Sequence, residues 1–327
     1  MLPDFLLSVP FLNKLESVRL DDEDLSVEQL PQLLKLSGAK EVYWRLNSRI
    51  VGPDGTYIRA KGEGDEVIVK TPLKVKSIPW SFGKLNERAL VSLVQDLIPS
   101  GEGESYLNPS PWPRGSLKPG EVIEERREEK EELQNSLSVN TRYFNPDFVF
   151  LNPLFVEVSK EPANSPFICV ELKQAFCFVS SSPIETSFEN GRVKVEGKGV
   201  LMVKGDNWRE VKPYKLSWDL SNPLVRLDFK PKYNVSLYRL EPASIVPFFL
   251  DYAQGELTLA LVNLSESPVI STVYITARIT EAEIVDESEK VVPEFDRVRI
   301  PFRRWGIHVL KLKVRRLIEQ YLRKRII

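Results

Sequence analysis

Two short segments carry the residue types that hydrolytic chemistry uses. NPDFVF (Asn145–Phe150) places an aspartate at the start of one apolar run, and CVELKQ (Cys169–Gln174) places Glu171 and Lys173 near the end of another. If the two runs are neighbouring strands, Asp147 and Glu171 could share a divalent cation while Lys173 orients or activates water. Glu171 and Lys173 stand two apart, and on a strand residues two apart face the same way. The alternative is an exposed strand whose Glu and Lys neighbour each other on the wet side. A third carboxylate cluster is the acidic run DDED, Asp21 to Asp24, just before LSVEQLPQLLKLSGAK. The chain has a single histidine, His308, within a strand-like stretch. One imidazole cannot rebuild a metal site that needs two, so a structural strand residue is expected there.

The elements that would position these groups follow from periodicity and punctuation. Proline at a first helical position and glycine just past the end predict a short helix from Pro31 to Gly38. Strand-like KEVYWRL (Lys40–Leu46) follows, then the turn residues GPDG at Gly52–Gly55, then DEVIVKTPLKVKSI, which alternates as a half-exposed strand does. Leu90, Leu93, Val94 and Leu97 recur at helical spacing within residues 85–98, and Pro99 ends that helix. Residues 100–120 are rich in Gly, Pro and Ser, a linker or an ordered connection. EVIEERREEKEELQ (Glu121–Gln134) is a mixed-sign charge block, expected to be a solvated helix or loop. From about Thr141 to Lys313 the chain reads almost entirely as short strands, RVKVEG, GVLMVKG and VYITARI among them, with turn chemistry between them, which predicts a β-sandwich or two stacked sheets. The last segment, KVRRLIEQYLRKRII, changes period. Val314, Leu317, Ile318, Tyr321 and Leu322 make a helical stripe with basic residues elsewhere, expected to dock on the body or on a partner chain. A basic surface for lipid or nucleic acid is the alternative.

The bulk composition bounds the function. A chain of 327 residues with 42% apolar and 28% charged residues can bury a proper core, and its net charge of -1 gives no reason to expect nucleic acid. No apolar run approaches the length of a membrane span, and the apolar opening lacks the basic lead of a signal peptide. Cys169 and Cys177, without a CxxC, are expected as two half-buried strand thiols in a reducing cytoplasm. Few Met, Cys and His beside abundant Arg, Lys, Glu and Pro resemble a heat-adapted composition.

The Pro-Asp and Glu-x-Lys pattern around Asp147, Glu171 and Lys173 is similar to that of metal-dependent PD-(D/E)xK-like nucleases, although the passage after Gln174 does not supply the helix usual in that fold. A second resemblance spans the chain. EQLPQLLKLSGAK with GPDG a few residues later resembles the segment after the nucleophile in glycoside hydrolase family 38, the α-mannosidases. YLNPSPWPRG (Tyr106–Gly115) is similar to that family's Asn-Pro-x-x-Trp-x-Arg entry into its β region. LTLALVNLSESPV (Leu257–Val269) and RVRIPFRRWGIHVLKLK (Arg297–Lys313) resemble its closing β-sandwich. Three motifs in the family's order are far more specific than any one of them. Residues 120–235 match poorly.

The resemblance implies a retaining mechanism with an aspartate nucleophile that also ligates zinc, plus a second carboxyl as acid/base. Sliding the motif onto this chain puts Asp22 at the nucleophile's position, with Asp24 and Leu25 where Phe-Gly should follow. The family's zinc histidines have no counterpart, and the acid/base carboxyl has no assignable position. The resemblance therefore implies a non-catalytic relative, mainly β with a smaller α/β N-terminal part. Its expected divisions are a mannosidase-like remnant at 1–105, a linker with the charged segment at 106–140, a β-rich domain at 141–240, and a β-sandwich module with the terminal helix at 241–327. Such a chain would act as a structural or regulatory subunit, or as a glycan-binding partner, of an active mannosidase-like chain or of itself, in the cytoplasm. No cofactor is expected, and zinc would bind only with ligands from a partner chain. Trp112, Trp208, Trp218 and Trp305 are candidate sugar-stacking residues, with core packing as the alternative. The open rivals are a glycosidase completed by another chain and the nuclease.

Overall fold

The computed structural model describes residues 84–124, 132–141, 145–152, 155–233, 236–284, 289–304, 306–318 and Tyr321, with the backbone of five strands from the first 83 residues. Those five strands pair antiparallel in the order Val18–Arg19, Glu66–Lys70, Glu41–Leu46, Arg49–Val51, Tyr57–Arg59. They include the strands expected within Lys40–Leu46 and after Asp65. The helix expected from Pro31 to Gly38, the turn residues Gly52–Gly55, and Asp22 lie outside the described residues.

Helix α1, Glu87–Leu97, forms where the apolar spacing predicts it. The Asn86 side chain caps it by accepting from the Arg88 and Ala89 amides, and Leu90, Leu93, Val94 and Leu97 are buried. A cap of this kind stabilises a helix by roughly 1 kcal/mol. The buried face packs against strand Ile245–Ala253, and the Tyr252 hydroxyl donates to Asp96.

The rest is mainly β, in several antiparallel sheets. A six-stranded sheet runs in the order Phe155–Ser159, Asp147–Asn152, Ser165–Glu171, Ala175–Glu189, Arg192–Gly205, Gln134–Asn140. Its central strands read FVFL and FICV, without polar alternation, because both faces are covered. Phe148, Phe150, Ile168 and Val170 join one apolar cluster, and Val149, Leu151, Phe167 and Cys169 join the other. The first cluster is closed by the far halves of the two long strands. Their register shifts between Val179 and Glu185, and Phe188 comes edge-on to Phe148 at 5.8 Å. The second face meets a helix that the all-β reading of this region missed, α3, Pro213–Ser221. A four-residue turn of helix, α2, Trp208–Val211, precedes it.

The cysteines are not the thiols that the sequence suggests. Cys169 and Cys177 stand directly opposite each other in the hairpin formed by their two strands. Both are fully buried and are joined as a disulfide. A short hairpin brings the cross-strand pair together, a geometry that the absence of a CxxC does not rule out.

Two further sheets complete the C-terminal part. One has three strands, Tyr238–Glu241, Val269–Ile275 and Arg297–Phe302. The other has five, in the order Ile245–Ala253, Glu256–Asn263, Ile307–Arg315, Arg278–Ile284, Glu289–Val291. The three-stranded sheet alternates cleanly. Leu240, Val273, Ile275, Val298 and Ile300 turn into the common core, while Arg239, Tyr274, Arg297 and Arg299 turn outward. The terminal segment begins differently from expectation, because strand Ile307–Arg315 carries Lys313 to Arg315 into sheet pairing with Arg278 and its neighbours. Val314 and Leu317 are buried, whereas Ile318 and Tyr321 are exposed. Residues 319–320 and 322–327, which hold Leu322 of the expected stripe and the basic residues Arg323, Lys324 and Arg325, lie outside the described residues.

Candidate functional site

Two members of the proposed metal trio come together and the third does not. Asp147 and Glu171 are cross-strand partners. Each carboxylate is already engaged: Asp147 pairs with Lys160 at 2.7 Å, and Glu171 accepts the Trp208 amide at 2.9 Å, capping the first turn of α2. Lys173 is not on the strand, contrary to the reading that put it on one face with Glu171. The strand ends at Glu171, and Lys173 occupies the exposed turn closed by the Leu172 amide on the Gln174 carbonyl. Among the described residues no group of three His, Cys, Asp or Glu side chains is placed to hold a metal ion.

His308 lies on its strand, only 4% exposed, with its ring edge-on to Phe302 at 4.8 Å and Nε2 at 3.1 Å from the Pro301 carbonyl. Trp112, Trp208 and Trp218 are buried, so as placed they offer no open ring face to a sugar. Trp305 lies outside the described residues.

The most highly organised polar cluster is one that the sequence reading did not single out, and it centres on Asp219. Lys212, in the left-handed region at φ 52°, turns the chain so that Pro213 can open α3, where its missing N–H costs nothing. The helix then turns Tyr214, Ser217, Trp218 and Asp219 inward. Trp218 donates its indole N–H to the Pro247 carbonyl at 2.6 Å, and Ser217 donates to the Ser180 carbonyl at 2.7 Å. Against this face lies the proline-rich stretch Asn108–Arg114. Asn108 accepts from the Ser110 amide and donates to the Lys118 carbonyl, which holds a chain that its prolines leave short of amide donors. Ser110 Oγ donates to Asp219 at 2.5 Å, and Trp112 Nε1 donates to the same carboxylate at 3.1 Å. Trp112 also meets Trp218 edge-on at 5.1 Å. Arg114 donates to the Asn222 carbonyl just past the helix, and Asn222 in turn accepts the Leu85 amide ahead of α1.

Asp219 is 9% exposed. Burial pushes its carboxyl up to about 6, overcoming the opposing pull of the Ser110 and Trp112 hydrogen bonds and of nearby Arg114 and Lys215. Lys215, one turn earlier on the helix, lies over the Trp112 ring with its ammonium 5.1 Å from the centroid. Burial first, and Lys212 second, hold its pKa below the ordinary lysine range. Below the carboxylate, the Tyr238 hydroxyl donates to the Pro109 carbonyl, and complete burial holds its phenol well above the ordinary range. The arrangement ties the proline-rich stretch to α3.

No family model and no curated protein matches the chain. Among solved structures, it is similar to an α-mannosidase from Enterococcus faecalis, at 10% identity with a TM-score of 0.37 over 54% of this chain and 25% of that one. It is also similar to a family 42 β-galactosidase from G. stearothermophilus, at 11% identity with a TM-score of 0.20 over 57% of this chain and 24% of that one. The chain spans about a quarter of the length of either enzyme.

Proposed function

We propose that this chain is a non-catalytic, mannosidase-like protein that serves as a structural or regulatory partner, or as a glycan-binding partner, of an active glycoside hydrolase. The observation that carries the reading is the fate of the stretch similar to the family's Asn-Pro-x-x-Trp-x-Arg motif. Asn108, Trp112 and Arg114 each direct their polar groups to this chain's own helix, loop and carboxylate. The motif therefore serves as a brace that fastens α3 to the body, and architecture alone can account for its retention. The histidine count supports the same reading, since the sole histidine is buried against Phe302.

The test is hydrolysis of an aryl α-mannoside by the full purified chain, with and without added zinc, alongside native mass spectrometry for bound metal and subunit number. The expected result is no turnover above buffer and a stable assembly with a second chain or a second copy. Stoichiometric zinc with turnover, both lost in Asp22→Ala, overturns the reading in favour of a working glycosidase. A strictly monomeric chain that binds neither a hydrolase nor a glycan removes the partner role.

A further inference from the structure

On the outer face of the three-stranded sheet, Arg239, Tyr274 and Arg297 stand in one row across neighbouring strands. Arg239 is paired in register with Tyr274, and Tyr274 with Arg297. Residues directly opposite in a sheet project to the same side, so the tyrosine carries a guanidinium on either flank. The two guanidinium carbons lie 4.2 Å (Arg239) and 4.8 Å (Arg297) from its ring centroid. Both cations are thus held on the one aromatic ring.

Each guanidinium is also pinned from behind. Arg239 reaches Glu241 through Nε at 3.2 Å, and Arg297 reaches the buried Asp296 through Nε at 3.3 Å. In both cases the contact runs through Nε, and no hydrogen bond from the terminal Nη atoms of either arginine is formed among the described residues. Stacking and pinning together remove much of the rotamer freedom that an exposed arginine normally keeps, which lowers the entropic cost of using these donors on a ligand. A cleft of about 360 Å³ opens beside the row, lined also by Ser236, Tyr238, Ile275, Thr276 and the Arg297-paired Asp296. That is the size of a small-molecule site.

From this geometry we infer that the Arg239–Tyr274–Arg297 cleft binds a small ligand through a carboxylate or phosphate group. Each guanidinium already has one carboxylate beside it, Glu241 or Asp296, so an oxyanion at this row is recognised through the directed donors of the forks rather than through an excess of positive charge. Planar forks with Nη donors suit carboxylate or phosphate bidentately, where a lysine would act only as a point charge. A neutral sugar finds little here to stack on, because the guanidinium groups cover the Tyr274 ring. The whole chain carries a net charge of -1, so a general attraction for anions does not explain binding at this place. The inference is independent of whether the chain hydrolyses a glycoside.

Titration of the full chain by NMR and calorimetry with inorganic phosphate, glucuronate and methyl α-mannoside tests it. The expected result is saturable binding of phosphate or glucuronate in the millimolar range or tighter, with shifts centred on Tyr274, and none by the neutral mannoside. Preference between the two anions identifies the source as a phosphate ester or a sugar acid. Arg239→Gln and Arg297→Gln should each weaken the preferred anion about tenfold, the order expected for losing a charge-assisted fork. Arg226→Gln, an exposed arginine paired with Glu104 elsewhere, should leave binding unchanged. Arg297→Lys should rescue only part of the loss. The inference is overturned if neither anion binds saturably, if binding survives the Arg239→Gln/Arg297→Gln double change in a folded chain, or if the neutral mannoside binds as well as the anions.

Discussion

Replacing Asp219 by asparagine should make the protein more stable relative to wild type as the pH rises from 3.8 through about 6, and change it little below pH 3.8. Burial raises the Asp219 carboxyl from 3.8 to about 6 in the fold, so the folded state favours the protonated form. Its contribution is fully present below pH 3.8 and is lost as the pH rises through about 6. At about 1.4 kcal/mol per pKa unit, the loss across that window is of the order of 3 kcal/mol. The asparagine side chain mimics the neutral acid and still offers Oδ1 to Ser110 and Trp112, so the variant carries no such loss. Any mismatch between its amide group and the Trp112 N–H adds an offset that does not vary with pH. The diagnostic quantity is therefore how the difference between variant and wild type changes with pH. Urea unfolding followed by indole fluorescence, which reports Trp112 and Trp218 in this very cluster, measures it at a series of pH values from about 4 to about 8. The variant should gain on the wild type by up to about 3 kcal/mol across the series. Ser110→Ala should move the other way, because removing a donor to the ionised form raises the Asp219 pKa further and destabilises the protein above neutrality. Parallel curves for Asp219→Asn and wild type from acid to alkali would refute the claim that a buried, destabilised carboxylate sits at this joint.

The remaining predictions concern the cysteines and the carboxylate pair. Denatured without reductant, the chain should show no free thiol by alkylation and mass spectrometry, and Cys169→Ala/Cys177→Ala should lower stability by about 2 kcal/mol, as expected for a short closed loop. Two free thiols in freshly purified, alkylated protein would contradict the pairing. Glu171→Ala, which removes the acceptor for the Trp208 amide, should cost about 1 kcal/mol as the loss of a helix cap does, whereas Lys173→Ala on its exposed turn should be neutral. Magnesium-dependent DNA cleavage by the wild type, abolished in Lys173→Ala, would reverse the structural reading of both residues.

What could be read from the sequence divides along physical lines. Helix α1 was legible because its burial is local: Leu90, Leu93, Val94 and Leu97 at helical spacing and a following proline settle it within one window. The strands were legible as strands but not as partners. RVKVEG and GVLMVKG read as two elements, yet they are one strand, Arg192–Gly205. The glycines between them mark a register shift between Glu196 and Val200 rather than a turn. VYITARI shows the reverse error, reading as one strand but breaking at Thr276–Ala277, where the chain passes from the three-stranded sheet to the five-stranded one. Helix α3 was missed because the strand pattern around it was read straight through, although Pro213 stands where a proline can initiate a helix. The Asp219 cluster was missed for a different reason. Its donors lie 107 and 109 residues away along the chain, and no local pattern reports a contact made at that separation.

The same contrast bears on where this protein could meet a ligand. Sequence reasoning looked for function in the residues that chemistry favours: carboxylates, the histidine and the tryptophans. Within the described fold those groups face inward or are engaged. Asp147 is paired with Lys160, His308 lies against Phe302, and Glu171 caps a helix. A group whose polar atoms are already satisfied by its own fold gains little by exchanging them for a ligand, and exposing it costs the brace it maintains. Arginines on a sheet's outer face are in the opposite position. Arg239 and Arg297 are held by Tyr274 and by one carboxylate each, and they remain 45% and 38% exposed. Their order is set by the fold while their remaining donors face water, and that combination of fixed geometry and unmet bonding capacity is what recognition of a ligand requires.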